Sequence, residues 1–142
     1  MAEQSHKLEA EVLTPDGAIY EGELYQVSVR TVAGEIGIRA RHVPMLARIV
    51  PHELRLFESE SDFSNGKPKS FAAAEGWLEV FANRVVVLVG EAHEAGEIDA
   101  SAQKEKVSEA EQALEEAEED SAAEETAQRD LDRAKAFLEM AE

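Results

Sequence analysis

Glu75 and Glu79 are the residues whose types and spacing best fit catalysis. They lie four positions apart on a strand-like segment, which would put both carboxylates on one face of a strand. A carboxylate pair can act as general acid and general base, but charged side chains also keep edge strands soluble. No second catalytic partner accompanies them, so a soluble strand edge is favoured over a small hydrolase.

The histidines do not form a metal-binding pattern. His6, His42, His52 and His93 include no pair spaced three or four residues apart, the spacing at which a helix brings two imidazoles to one metal. The chain contains no cysteine, which removes thiolate nucleophiles and disulfides. It also has neither a glycine-rich phosphate-binding motif nor a serine nucleophile elbow. We therefore expect no catalytic residue, no metal and no cofactor.

The charge of the chain excludes two classes of partner. Residues 1–96 contain 15 acidic and 9 basic side chains, and residues 97–142 contain 16 and 5, for a total of −17. Nucleic-acid binding requires clustered Lys and Arg, and anionic lipid repels an acidic surface. The strongly apolar run at residues 85–89 is far shorter than the roughly 20 residues that cross a bilayer. We expect no nucleic-acid binding, and membrane association only through partner proteins.

Glycine and proline divide the chain into two parts. All eight glycines and all four prolines lie at or before Gly96, and both residue types interrupt helices but punctuate strands and turns. The sequence therefore predicts a strand-rich domain over residues 1–97 and a helical domain over residues 98–142.

Short strands are predicted in the first domain. Apolar and polar residues alternate in residues 8–12, 25–29, 54–56 and 76–81. Asn65-Gly66 predicts a hairpin turn, because such turns require positive φ. Residues 85–89 are apolar at every position, which predicts a strand buried on both faces. Many short strands separated by turns indicate a sandwich or flattened barrel.

Two amphipathic helices are predicted in the second domain. Asp99 would cap the first helix, and Ser121 with Glu124 would form a capping box for the second. A turn near Asp120 would then give an antiparallel hairpin. Apolar residues recur every three or four positions at Val107, Ala110, Leu114 and Ala117, then at Ala123, Ala127, Leu131, Ala134, Leu138 and Ala141.

This hairpin is expected to be weak. Its seam is mostly Ala, which buries little apolar area at ~25 cal/mol per Å². Five carboxylates at residues 115–120 oppose the dipole of the first helix, at roughly 0.3–1 kcal/mol each. One long helix is also sterically open, so the sequence leaves two alternatives, a solvated structural hairpin and a conformational switch.

The order of several segments resembles a known family. Gly-Glu-Ile-Gly-Ile at residues 34–38, His-Val-Pro-Met-Leu at 42–46, Gly-Trp-Leu-Glu-Val at 76–80 and Asn-Arg-Val-Val-Val-Leu at 83–88 precede Glu-Ile-Asp at 97–99. Together they resemble the epsilon subunit of bacterial F-type ATP synthases, called delta in mitochondria. The resemblance extends from about residue 7 to the C-terminus.

The resemblance implies a ten-stranded β-sandwich followed by an antiparallel α-helical hairpin. It implies a non-catalytic rotor subunit of the central stalk, which couples proton flow through the c-ring to ATP synthesis. The sandwich would bind the gamma subunit and the c-ring, peripherally at the cytoplasmic face of the bacterial cell membrane. The hairpin would fold on the sandwich or extend toward the catalytic alpha/beta hexamer, and the extended form would inhibit ATP hydrolysis.

Two sets of site residues follow from this resemblance. Residues 34–38 look like a short loop that presents a surface to a partner. The c-ring and gamma interface would contain Glu35, Ile36, Gly37, Ile38 and His42. Gly37 would allow a close approach of the partner backbone, and Glu35 would accept hydrogen bonds. The hypothesis for inhibitory contacts names Arg129, Arg133, Lys135 and Phe137.

The chain departs from the family pattern at three places. Ala40-Arg41 replaces the usual Pro-Gly before His42, which should loosen the loop. Glu75 stands where the family often has glycine. In members that bind ATP, an arginine follows the aspartate by three positions, but Ala102 follows Asp99 here. We expect weak or absent ATP binding, because a carboxylate without its arginine cannot readily hold a triphosphate.

A freestanding binding module, for example for carbohydrate, with a coiled-coil tail is the second hypothesis. It requires exposed aromatic residues on one sheet face. The chain has one tryptophan and two tyrosines, so this hypothesis has little support from composition.

Overall fold

The structure is a computed structural model that describes residues 6–141. Residues 1–5 of the predicted first domain and residue 142 of the second lie outside the described residues. The strands are β1 Leu8–Thr14, β2 Gly17–Leu24, β3 Gln26–Thr31, β4 Gly34–Ile38, β5 Met45–Ile49, β6 His52–Phe57, β7 Lys69–Ala73, β8 Gly76–Phe81, β9 Arg84–Val89 and β10 Ala92–Glu94. The α-helices are α1 Glu60–Ser64, α2 Ala100–Glu116 and α3 Ala122–Ala141.

The ten strands form two packed layers. One layer has the order β10-β7-β6-β3, with β4 on β3, and the other has the order β5-β8-β9-β1-β2. β3 connects the layers, because it pairs with β6 and, through Thr31, with Ile49 of β5. Alternate side chains of both layers fill one apolar core. The prediction of a ten-stranded sandwich followed by a helical hairpin is confirmed.

Three local predictions in the sandwich are wrong. Residues 34–38 form strand β4 and not a loop. This strand pairs with β3 from Val27 to Thr31. β9 is buried on one face only, because Leu88 is 42% exposed while Val85 and Val87 are in the core. Its apolar outer face is therefore available at the surface.

Asn65-Gly66 is also not a hairpin turn. Ser59 Oγ accepts the Asp62 backbone N–H at 3.0 Å, and this N-cap starts the short helix α1, whose C-cap is Asn65. Gly66 follows with φ of +63°, as residues after helices often do. A tight turn lies instead at Ala82 and Asn83, whose φ values are 47° and 59° and which connect β8 to β9.

The helical predictions are confirmed in their main features. Asp99 Oδ1 accepts the backbone N–H groups of Ser101 and Ala102 at 2.9 and 3.3 Å. Ser121 Oγ accepts the Glu124 N–H at 3.1 Å, and Asp120 has a φ of 59° in the turn. The buried face of α3 differs from the predicted stripe, because it contains Ala127, Leu131, Ala134 and Phe137.

Candidate functional site

Four large apolar side chains lie on the solvent side of the layer that contains β5, β8 and β9. We call this surface the outer sheet face and define it by Leu46, Trp77, Phe81 and Leu88, which are 68%, 46%, 42% and 42% exposed. Alternation positions them, because Leu78 and Val80 between the two aromatic residues point into the core. Contiguous exposed apolar surface of this kind marks binding sites.

The strand register brings these side chains together. Trp77 pairs with Leu88 on β9 and with Arg48 on β5, and the Arg48 guanidinium lies 5.8 Å from the centre of the Trp77 ring. Leu46 pairs with Glu79, which places one carboxylate within the apolar surface. The sequence of β9 does not indicate this face, because residues 85–89 are all apolar and only the structure shows Leu88 to be 42% exposed.

The five predicted interface residues do not form one loop surface. Ile38 is fully buried, and Ile36 packs against the core. Glu35 forms an ion pair with Arg55 of β6. Glu35 is the second residue of β4 and His42 follows its last residue by four positions, so they lie toward opposite ends of this strand.

The segment that contains His42 is tied to the rest of the sandwich. The Arg41 backbone N–H donates to Asn83 Oδ1 at 2.8 Å, and Asn83 Nδ2 donates to the Lys7 carbonyl at 3.1 Å. Arg41 has a φ of 61°, a conformation that the usual glycine would adopt more easily. The expected loosening is therefore countered by Asn83.

The predicted regulatory residues divide into two groups. Arg129 and Lys135 are exposed, whereas Phe137 is 1% exposed and packs on Ala72 and Ala74 of the sandwich. Arg133 Nε donates to Glu75 Oε1 at 3.1 Å, its Nη2 also contacts that oxygen, and its Nη1 donates to Glu91 Oε2 at 3.3 Å. The structure thus has the hairpin folded on the sandwich.

The carboxylates considered for catalysis and ATP binding have other contacts. Glu75 binds Arg133, and Glu79 lies among the apolar side chains of the outer sheet face. The Asp99 carboxylate caps α2. The described residues contain no group of three or more His, Asp or Glu side chains placed to hold a metal ion. Within residues 6–141, no helix is long and apolar enough to cross a bilayer.

Residues 7–95 match the family model described as the ATP synthase, Delta/Epsilon chain, beta-sandwich domain. An ATP synthase epsilon chain of Persephonella marina is 39% identical over 132 residues, which cover 92% of this chain and 93% of that protein. An ATP synthase epsilon chain of Halalkalibacterium halodurans is 32% identical over 134 residues, which cover 94% and 96%.

Solved structures show the same fold. A chain in a structure of the Euglena gracilis mitochondrial ATP synthase, with OSCP, F1 and c-ring, superposes with a TM-score of 0.78 at 18% identity and covers 99% of this chain and 85% of that one. A chain of the Tetrahymena thermophila mitochondrial ATP synthase central stalk and c-ring gives a TM-score of 0.66 at 18% identity, with coverage of 99% and 100%.

The exposed aromatic residues on one sheet face, Trp77 and Phe81, are also what a carbohydrate-binding module would need, so this feature alone does not separate the two hypotheses. The relatives do separate them, because two ATP synthase epsilon chains match 92% and 94% of this chain. The chain belongs to the ATP synthase delta/epsilon chain family, as an epsilon-type, non-catalytic subunit of that complex.

Proposed function

We propose that this chain is a rotor subunit of the central stalk, which helps to couple proton flow through the c-ring to ATP synthesis. The observation that carries the proposal is the outer sheet face, whose four large apolar side chains are 42–68% exposed. A subunit that transmits torque needs a permanent interface, and permanent interfaces bury apolar and aromatic side chains at their centre.

The gamma subunit is the proposed partner of the outer sheet face. Trp77 is at its centre, beside Leu88, and buried tryptophans often contribute most of the free energy of an interface. Glu79 lies within this face, and the Glu11 and Arg84 ion pair borders it on β1 and β9. A gamma surface with an apolar centre and basic side chains opposite Glu79 would complement it.

The c-ring is the proposed second partner, through the accessible members of the predicted interface. Glu35 is exposed, His42 is half-buried, and Val43 beside it is 70% exposed. Because Glu35 and His42 lie toward opposite ends of β4, a contact that includes both would extend at least about 10 Å along this strand. The chain would then lie at the cytoplasmic face of the bacterial membrane, bound through its partners.

The catalytic alpha/beta hexamer is the proposed third partner, reached by the hairpin after it leaves the sandwich. Arg129 and Lys135 are exposed in the folded hairpin. Arg133 and Phe137 are bound to the sandwich, so only a released hairpin could present all four side chains. In this arrangement the hairpin would inhibit ATP hydrolysis.

Binding to purified gamma subunit tests the docking face. We expect Trp77→Asp and Leu46→Asp to weaken binding by about 10- to 100-fold, because each places a charge in a desolvated apolar contact. Val32→Asp is the matched control, since Val32 is 66% exposed but lies between β3 and β4. Calorimetry with gamma measures the affinity, and unchanged affinity of both outer-face variants would exclude this face.

A further inference from the structure

The hairpin and the sandwich are joined by a three-residue ion cluster that we call the Arg133 clamp: Arg133 of α3 with Glu75 and Glu91 of the sandwich. We propose that the Arg133 clamp is a nucleotide-independent lock that holds the hairpin on the sandwich, and that its opening releases Arg133 and Phe137 together. The lock itself is a property of the isolated chain. That the released side chains act on a partner rests on the function proposed above.

The sandwich forms a fixed slot for the Arg133 guanidinium. Glu75 precedes β8, and Glu91 lies between β9 and β10. Their two segments are tied by backbone hydrogen bonds from Gly90 N–H to the Glu75 carbonyl at 3.2 Å and from Ala74 N–H to the Glu91 carbonyl at 2.8 Å. A Cβ on Gly90 would lie 3.2 Å from Arg133 Nη2. The glycine therefore leaves room for the guanidinium between two preorganised carboxylates.

Glu91 couples the clamp to the apolar anchor of the hairpin. Its Oε2 accepts from Arg133, while its Oε1 lies 2.7 Å from His93 Nε2. The His93 ring in turn meets the Phe137 ring edge-on, with centroids 5.9 Å apart. Arg133 and Phe137 are four residues apart and thus on one face of α3. Loss of the clamp would free both the helix and the histidine that supports the aromatic ring.

The net charges of the two parts of the chain oppose their association. The two parts of the chain have net charges of −6 for residues 1–96 and −11 for residues 97–142, so they repel each other. Arg133 opposes this repulsion by binding two sandwich carboxylates at once. Burial would raise the pKa of Glu91, but the His93 hydrogen bond and the charges of His93 and Arg133 lower this pKa below its ordinary value. This direction agrees with an ionised, paired carboxylate.

The lock requires no nucleotide. The Asp99 carboxylate is already engaged as the cap of α2, and the residue three positions later, Ala102, has no charge with which to bind a phosphate. The Arg133 guanidinium is engaged by Glu75 and Glu91. Cationic and anionic groups at the junction thus satisfy each other, and a triphosphate would have to displace carboxylates from Arg133.

Hydrogen exchange of the full-length, isolated chain tests the lock. We expect Arg133→Gln to make the α3 amides exchange about three- to tenfold faster, because a partly exposed, bidentate ion pair contributes a modest free energy to holding the helix. The amides of the sandwich strands should keep their protection, because the opening is local. Arg129→Gln is the matched control, because Arg129 lies one turn earlier and pairs at 3.7 Å with neighbouring Asp130. Reversal of the pair, Arg133→Glu with Glu75→Arg, should slow α3 exchange relative to Arg133→Glu alone.

Three results would overturn the lock. These are unchanged α3 exchange in Arg133→Gln, an equally large change in Arg129→Gln, and α3 exchange in the unsubstituted chain that slows when ATP is added. The sandwich amides report whether a substitution has unfolded the whole chain. No partner subunit is present in the experiment, so failure of the lock is distinguishable from failure of docking to gamma.

Discussion

Position 37 has room only for glycine, because the Gln26 side chain occupies the space that a Cβ would need. A Cβ there would lie 2.8 Å from Gln26 Nε2. The Gln26 amide has little freedom to move, since it donates to Ser28 Oγ at 2.8 Å and accepts from Arg39 Nε at 2.8 Å. The sequence had suggested that Gly37 admits the backbone of a partner, but the close approach in the structure is to this buried amide.

His52 is the buried titratable residue with the clearest consequence for stability. It is 6% exposed, its Nδ1 lies 2.7 Å from the Val50 carbonyl, and its Nε2 is buried without a partner among the described residues. Burial lowers the pKa of His52, and the hydrogen bond to Val50 offsets only part of this effect. The folded chain therefore favours the neutral imidazole.

We predict that His52 makes the chain less stable in mild acid. Because the pKa is lower in the folded state than in the unfolded state, stability is retained above pH 6.5 and falls below it, until the folded state also takes up the proton. The slope is at most about 1.4 kcal/mol per pH unit for one proton. Urea unfolding of His52→Gln between pH 7.5 and 5 should show a shallower slope, while the exposed His6→Gln should match the unsubstituted chain. Equal slopes for all three chains would contradict the prediction.

At the scale of elements, the approach of β8 to β9 depends on one residue. Gly76 is the first residue of β8 and pairs with Val89. A Cβ at this position would lie 1.8 Å from the Leu88 carbonyl oxygen, which belongs to the backbone and cannot rotate away. The glycine before Trp77 is therefore a requirement of strand packing, and it positions the outer sheet face.

We predict that Gly76→Ala destabilises the chain by about 1–3 kcal/mol, because the two strands must separate to admit the methyl group. Gly96→Ala is the control, since within residues 6–141 no atom beyond its two chain neighbours lies within 4 Å of its Cβ position. Thermal unfolding of both variants measures the difference. Equal melting temperatures for the two variants would show that the strands adapt without cost.

In the helices, the spacing of apolar residues predicts the element but not which side chains contact the sandwich. Leu131 and Ala134 are buried as the pattern of apolar spacings predicts. Near the C-terminus, however, Phe137 is buried and Leu138 is only half-buried. Ala72 and Ala74 on the sandwich leave space for a large ring, and that space belongs to the surface on which α3 packs.

At the scale of the molecule, the sandwich and the hairpin have separate apolar contacts. The main core is built from residues between Leu8 and Ala92. Phe137 joins a second, smaller cluster with Ala72 and Ala74. Because no described residue of the hairpin belongs to the main core, the sandwich should remain folded without α3.

We predict that a chain ending at Asp120 raises ATP hydrolysis by the assembled enzyme about fivefold or more, because the enzyme loses a coupling free energy of at least about 1 kcal/mol. The reason is that α3 carries all four proposed inhibitory side chains. A chain ending at Met140 keeps all four and serves as the control. Steady-state hydrolysis by reconstituted enzyme measures the effect. An unchanged rate would remove the inhibitory role of the hairpin.

The sequence by itself determined the fold class, both helix caps and the family. Each of these depends on local chemistry: alternation of apolar residues, the absence of glycine and proline after Gly96, and side-chain oxygens at Asp99 and Ser121 that accept backbone N–H groups. The sequence also marked Glu75 as a departure from the family pattern, and the structure shows that this carboxylate binds Arg133.

Only the tertiary structure decided which surfaces are exposed and which charges meet. Leu88 reads as a core residue in the sequence, yet it lies on the outer sheet face because the helices pack on the opposite layer, beside β6 and β7. Arg133 is 58 positions from Glu75 and 42 from Glu91. Contacts across such separations depend on how strands and helices pack in three dimensions, and no local pattern encodes them.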